Sequence, residues 1–258
     1  MSITMLKSSK ASLCRATYSL LIPAFLFSAL LSSKAQAEDG WLFAPYLRVD
    51  LGYSSTVDDD GDLHDSTPER DILDMDPNNG ARYQIGAGLK LNNYLRTDVT
   101  LSYRDKLTKV GSYIDADGIR NKPSNQLDSG ALETSNWSTM LNIYVDPLRA
   151  AGLDTGAFSP YLQGGIGWAR NKTEDMKFTT AGTIIGDTHN DFAWQVGAGV
   201  NYAITDQWKL DLSYRFIDMG EARSSNVYFS GSTVSPQPQG ARFDLQAHEV
   251  LIGLQYQF

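Results

Sequence analysis

The sequence predicts an all-β fold: an eight-stranded antiparallel up-and-down transmembrane β-barrel with four long external loops. Three observations predict it. Eight stretches alternate between large apolar and polar or small side chains over about ten residues, the length that crosses a bilayer at barrel tilt. The segments joining them are long and short by turns, as in barrels with long outer loops and short inner turns. The chain also closes on one of its most regular stretches, Gln246 to Phe258. There Val250, Ile252, Leu254, Tyr256 and Phe258 share one face, and Glu249, Leu251, Gly253, Gln255 and Gln257 the other. A last strand this apolar is expected where it can pair with the first strand and leave no open edge.

The opening residues read as a targeting segment. Lys7, Lys10 and Arg15 precede an uncharged run from Tyr18 to Leu31, which is interrupted by Pro23 and is short for a spanning helix. Ala35-Gln36-Ala37 matches the small-x-small cleavage pattern. Residues 1–37 are therefore expected to be a secretory signal peptide cut between Ala37 and Glu38, and residues 38–258 the barrel. Four of the 22 basic residues and none of the 30 acids lie in that segment, so the remainder carries 18 basic against 30 acidic side chains, a net charge of −12. Such a chain, lacking a basic run, is a poor nucleic-acid binder. The one cysteine, Cys14, lies within the signal, so the mature protein is expected to have neither disulfide nor thiol chemistry. Mean hydropathy is negative, but this index misses barrel strands, half of whose residues face a polar interior.

The first strand is expected over 46–54, with Leu47, Val49, Leu51 and Tyr53 opposed to Arg48, Asp50, Gly52 and Ser54. Residues 55–81, with nine acids and no periodicity, read as the first long loop. The second strand, 82–91, sets Tyr83, Ile85, Ala87 and Leu89 against Arg82, Gln84, Gly86 and Lys90. Asn92-Asn93-Tyr94 forms a tight turn, because asparagine tolerates turn backbone. The third strand, 95–104, sets Leu95, Thr97, Val99, Leu101 and Tyr103 against Arg96, Asp98, Thr100, Ser102 and Arg104.

After a loop over 105–134, the fourth strand (136–146) turns Trp137, Thr139, Leu141, Ile143 and Val145 outward. A longer turn over 147–159 has room for a short helix. The fifth strand (161–170) has the least marked pattern, blurred by Gly164, Gly165 and Gly167. A third loop spans 171–191. The sixth strand (192–202) alternates most clearly, with Phe192, Trp194, Val196, Ala198, Val200 and Tyr202 on one face. The seventh (208–216) follows a short turn and opposes Trp208, Leu210, Leu212, Tyr214 and Phe216 to Lys209, Asp211, Ser213 and Arg215. The fourth loop covers 218–243. Aromatic belts are expected at both interfaces. Tyr46, Tyr94, Tyr161, Tyr202, Trp208, Tyr256 and Phe258 mark the inner one; Tyr53, Tyr83, Tyr103, Trp137, Trp168, Phe192, Phe216 and His248 mark the outer one.

Several stretches carry a family resemblance. They are Tyr46 to Tyr53, Asn93 to Thr100, Ser159-Pro160-Tyr161 with Gly165 to Gly167, Leu212 to Phe216 with Asp218 and Gly220, and His248 to Phe258. On these the chain resembles the small outer-membrane β-barrel proteins of Gram-negative bacteria, the opacity-protein and surface-antigen group often called the porin family. The resemblance implies the fold and an outer-membrane location with extracellular loops. It also implies contact with outer-membrane lipid and lipopolysaccharide. Gly253, Tyr256 and Phe258 resemble the signal read by the barrel-assembly machinery, with Leu251 where a polar residue is usual.

Candidate chemistry gathers on the inward face. Arg48, Asp50, Arg82, Arg96, Asp98, Arg104, Asp211, Arg215 and Glu249 form an expected lumen charge network, with Lys90, Asp146 and Lys209 on the same face. Eight strands leave an interior just wide enough for side chains to fill. Buried charges must pair, so a salt-bridged plug is favoured over a gated conduit. Glu249 is expected within reach of an arginine such as Arg48.

The acidic run Asp58 to Asp62 fails the EF-hand spacing. With Gly61 in sixth place, the first and twelfth positions are Thr56 and Thr67. No metal and no cofactor are expected. Bases for an enzyme would come from His64, His189 or His248. Asp187-Thr188-His189, with Asp58 and Asp60 opposite, resembles the pairs of omptin proteases, but omptins have ten strands. His248 lies where lipid A deacylases carry a His-x-Ser pair, but Val250 takes the nucleophile's place. The expected role is therefore a non-enzymatic structural or surface-interaction protein, with loops acting as antigen or adhesin-like contacts. The alternative is a narrow passive channel, followed by an outer-leaflet enzyme.

Overall fold

The computed structural model describes residues 43–57, 61–63, 71–77, 79–113, 129–177, 183–230, 233–236 and 241–258. The expected cleavage site at Ala37 and Glu38, together with His64 and Asp58 to Asp60, lies outside them.

Eight antiparallel strands close into one wall. They are β1 (Ala44–Thr56), β2 (Asn79–Lys90), β3 (Leu95–Tyr113), β4 (Ser129–Val145), β5 (Phe158–Thr173), β6 (Thr188–Ala203), β7 (Trp208–Ser230) and β8 (Ala241–Gln257). Each pairs with its sequence neighbours, and β8 pairs with both β7 and β1. The closing seam runs from Tyr46 opposite Gln257 to Thr56 opposite Ala247. Closure leaves no unpaired edge in the hydrocarbon region, the condition for a sheet to cross a bilayer.

The strand faces are inverted relative to a water-soluble barrel. Val49 is 57% exposed, whereas its neighbour Asp50 is 1% exposed. The same alternation holds around the wall, with Ile85, Val99, Leu141, Ile166, Val196, Leu212 and Ile252 all exposed. An apolar outer band suits hydrocarbon, and the polar interior satisfies its own hydrogen bonds. In the fifth strand the glycines do not disturb the facing: Leu162, Ile166 and Trp168 point out, and Tyr161 and Gln163 point in.

The inner turns are held by local side chains. Asn92 Oδ1 accepts from the backbone N–H groups of Tyr94 (2.9 Å) and Leu95 (2.7 Å), an Asx turn. The longer turn carries the short helix α1 (Pro147–Ala150), N-capped by Asp146, whose carboxylate accepts from Leu148 and Arg149 N–H groups. Thr205 Oγ1 accepts from Gln207 and Trp208 N–H groups in the third turn.

Much of the expected loop sequence is strand. β3, β4, β7 and β8 contain 19, 17, 23 and 17 residues and continue well past the apolar band. Gly61–Leu63 continues the β1 position beside β8, and Asp71–Pro77 continues β2 beside β3. The Asp76–Val110 pair keeps the register of the Arg82–Arg104 pair below it. Thr183–Gly186 and Thr233–Pro236 pair with the upper part of β7. Above the bilayer the outer sheet face can meet water, so the ladder persists without the outward apolar residues that mark it in sequence.

A second correction concerns the aromatic belts. Tyr46 and Tyr161, expected at the inner interface, are 1% and 4% exposed and face the lumen. Alternation requires this, because each precedes an outward leucine. The remaining inner belt includes Phe158 with Tyr202 (centroids 4.9 Å apart) and Trp208 with Tyr256 (4.8 Å). The outer belt includes Tyr103 with Trp137 (4.8 Å) and Tyr214 stacked on His248 (5.9 Å).

Candidate functional site, the polar lumen

Strand alternation delivers polar side chains from all eight strands into one narrow space, where they form two charged tiers. The upper tier is centred on Glu249 of β8. Its carboxylate accepts from Arg82 of β2, from Arg104 Nε of β3 (2.6 Å) and from Arg215 Nε of β7 (2.8 Å). All four side chains are buried. One carboxylate does not neutralise three guanidiniums, and neutral acceptors take up part of the excess. Arg82 donates to Gln84 Oε1 (2.6 Å) and Ser102 Oγ (2.7 Å). Arg104 donates to Asn136 Oδ1 (2.7 Å) and Ser138 Oγ (2.8 Å).

The lower tier has the opposite balance, two arginines against three aspartates. Arg48 Nη2 lies 2.7 Å from Asp50 and 3.2 Å from Asp211, and its Nη1 lies 3.5 Å from Asp98. Asp98 also accepts from the hydroxyls of Tyr46 (3.0 Å) and Tyr144 (3.1 Å). Asp211 accepts from the Tyr161 hydroxyl (2.8 Å). The Arg96 guanidinium lies 4.2 Å from the Tyr144 ring centroid and 4.5 Å from that of Tyr161, a double cation–π contact. It also reaches Asp211 (3.6 Å) and Gln255 (2.6 Å). Gln84 joins the tiers, accepting from Arg82 and Arg215 and donating to Asp50.

All nine residues of the expected lumen network therefore lie in one connected cluster. Glu249 reaches arginines as expected, but they are Arg82, Arg104 and Arg215 and not Arg48. Register sets Glu249 opposite Ser54 and Arg48 opposite Gln255, six residues lower on β8. Lys90, Asp146 and Lys209 sit at the inner mouth, just below the lower tier, around a cavity that Arg96, Tyr144 and Tyr161 also line. Sequence reasoning did not single out the neutral partners Tyr144, Asn136 and Gln84, nor Asn142, which donates to Asp98 (2.8 Å), and Gln195, which donates to Asn142. Their positions on the inward alternation of each strand would have indicated them.

Above the Glu249 tier β7 and β8 turn apolar side chains inward, beside the buried Thr56, Thr134, Asn171 and Thr173 of the other strands. Ile217, Met219 and Ala222 of β7 and Phe243, Leu245 and Ala247 of β8 are all buried. The β7–β8 register shifts here between Asp218 and Glu221, beside Gly220 at φ +68°. Asn171 of β5 donates to the Met219 and Glu221 carbonyls, both at 2.9 Å. The stretch expected as the start of the fourth loop thus continues β7 and lines the upper lumen.

Among the described residues, His189 and His248 are not assembled into a catalytic pair. His248 faces outward, and its Nδ1 lies 2.7 Å from the Tyr214 hydroxyl. His189 Nε2 lies 4.0 Å from Asp191, while Asp187 accepts from the Thr188 N–H.

An apolar-outside, charge-filled barrel with short inner turns and hairpins that continue beyond the outer aromatic girdle defines an outer-membrane β-barrel protein of the Gram-negative type. The chain belongs to the outer membrane protein beta-barrel domain family, which matches residues 24–258. It is 31% identical over 254 residues to an uncharacterized protein of Brucella suis biovar 1, covering 85% of each chain. It is 27% identical over 189 residues to a putative adhesin of Rickettsia conorii, covering 69% of this chain and 68% of that one. It is 29% identical over 106 residues to the outer membrane protein PagN of Salmonella typhimurium, covering 40% of this chain and 43% of that one. The crystal structure of OprG from Pseudomonas aeruginosa is similar in fold, with a TM-score of 0.54 at 13% identity, covering 84% of this chain and 97% of that one.

Proposed function

We propose that the protein is a non-conducting, non-enzymatic outer-membrane scaffold whose external hairpins contact other surfaces. One observation carries this reading. Both charged tiers bridge the lumen from wall to wall, and buried apolar side chains overlie them. Arg104 reaches from β3 to Glu249 on β8, and Arg48 from β1 to Asp211 on β7. Removing such partners leaves buried charge unpaired, at a cost of about 3–5 kcal/mol. A passage that opened routinely would incur that cost repeatedly. The hairpins, in contrast, continue the ladder beyond the membrane without adding to closure. The similarity to a Rickettsia conorii putative adhesin supports a contact role. On the enzymatic side, His248 is engaged by Tyr214 on the lipid face and is followed on that face by Val250.

The test has two arms. Purified protein in planar bilayers should give no steady conductance steps; reproducible steps would sink the closed-scaffold reading. Intact cells displaying the protein should adhere to a host-cell monolayer more than cells lacking it, and replacing the hairpin segments above the outer belt should abolish the difference. Equal adhesion by all three strains would remove the contact role.

A further inference from the structure

The inner mouth of the lumen, just below the lower tier, carries two lysines that neither the fold nor the proposed role uses. A cavity of about 60 Å³ opens there, lined by the cations Lys90, Arg96, Arg149 and Lys209 and, among its described lining residues, by one acid, Asp146. That acid is already engaged. It caps α1 through the Leu148 and Arg149 N–H groups and lies 3.4 Å from Arg149 Nε. Arg96 is held by Asp211 and Gln255.

The two lysines are different. Among the described residues Lys90 has no hydrogen-bond or carboxylate partner, and Lys209 has one long contact, to Gln257 Oε1 at 3.4 Å. Both are half-buried. An ammonium withdrawn from water without a counter-charge is unfavourable, and here two of them converge with two guanidiniums on one cavity. From this geometry we infer that the periplasmic mouth binds an anionic phosphate group. With Arg96 held by Asp211 and Arg149 by Asp146, the two lysines carry the uncompensated charge, and two such charges favour a multiply charged anion over a halide. The lysine ammoniums are rotatable point donors that do not demand a planar acceptor, and they suit tetrahedrally arranged oxygens. Tyr144, Tyr161 and Gln255 of the lower tier form the floor of the same cavity, their polar atoms already engaged by Asp98, Asp211 and Arg96. The phosphate can belong to a soluble periplasmic phosphate or to the headgroup of an inner-leaflet phospholipid at the rim.

The site lies at the end of the barrel opposite the hairpins, so its test is independent of the adhesion assay. The refolded protein, in an uncharged detergent, is titrated calorimetrically with inorganic phosphate at constant ionic strength, with chloride as control. A parallel titration uses a micelle-soluble short-chain phosphatidylglycerol. Saturable binding of either is expected; phosphate alone assigns a soluble ligand, and the lipid alone or both assign the headgroup as acceptable. The double variant Lys90→Gln/Lys209→Gln should weaken binding at least about tenfold, the scale of losing one charged hydrogen bond. Lys90→Arg/Lys209→Arg should retain it. Heat-modifiable gel migration verifies that each variant is a closed barrel; neither lysine belongs to the two charged tiers. If neither ligand gives heat beyond chloride, or if the folded Gln variant binds like the wild type, the inference is wrong.

Discussion

Glu249 and Arg104 are separated by 145 positions in sequence, yet they form a fully buried ion pair, Oε1 to Nε 2.6 Å, across the barrel from β8 to β3. Arg82 and Arg215 converge on the same carboxylate. Glu249→Gln leaves three guanidiniums without their one charged acceptor. The expected loss is about 3–5 kcal/mol in the free energy of folding into lipid vesicles, read from denaturant titration followed by tryptophan fluorescence. Combining it with Arg104→Gln should cost less than the sum of the two single changes, because both remove the same interaction.

Gly199 of β6 lies under the Tyr161 ring. A Cβ placed there would be 2.5 Å from the tyrosine hydroxyl and 2.7 Å from the Leu212 carbonyl oxygen. Neither neighbour can retreat cheaply, since the hydroxyl is bonded to Asp211 and the carbonyl belongs to the wall. Gly199→Ala should destabilise the barrel by about 1–3 kcal/mol in the same titration. Tyr161→Phe alone should cost less, because it removes one hydrogen bond without moving backbone, and adding it to Gly199→Ala should not restore stability.

Ile252 sits midway along β8 between His248 at the outer belt and Tyr256 at the inner one, and it is exposed to lipid. Ile252→Arg should cost about 2–4 kcal/mol, the penalty for a guanidinium at bilayer mid-depth. Lys at Tyr53, near the outer rim, should cost much less. Equal penalties at the two depths would contradict the placement of the apolar band.

Phe258 packs edge-on against Tyr256, and its N–H donates to the Pro45 carbonyl at 3.1 Å. These contacts are modest, yet Phe258 is also part of the proposed assembly signal with Gly253 and Tyr256. Deleting Phe258 should therefore lower the amount reaching the outer membrane more than it lowers stability in vitro. Fractionation of cells alongside vesicle refolding measures both. Normal assembly of the deletion variant would leave the residue with a packing role alone.

Much of this architecture is legible because a strand's side-chain period is two. Once Val49 and Leu51 are assigned to lipid, Arg48 and Asp50 must enter the lumen, and the same parity places Tyr144 and Asn142 there. Partner choice is harder to read. It depends on inter-strand stagger, which decides that Glu249 faces Ser54 instead of lying near Arg48. The hairpin extensions were hidden for a different reason. Asp71–Pro77 and the upper part of β7 are strands without an outward apolar stripe, so the pattern that marks the membrane strands does not extend into them. The buried run from Ile217 to Ala222 was further disguised by its bulge, which shifts the alternation by one residue at Gly220.

The buried apolar side chains of Ile217, Met219, Phe243 and Leu245 have a consequence for how the protein meets a changing medium. They stand between the arginine tier and the outside, and Debye screening acts weakly on charges withdrawn from the electrolyte. The barrel should therefore keep its melting behaviour as external salinity rises and falls. Ionic strength should register instead in the hairpins and at the basic inner mouth, so one chain combines a salt-indifferent body with two salt-responsive ends.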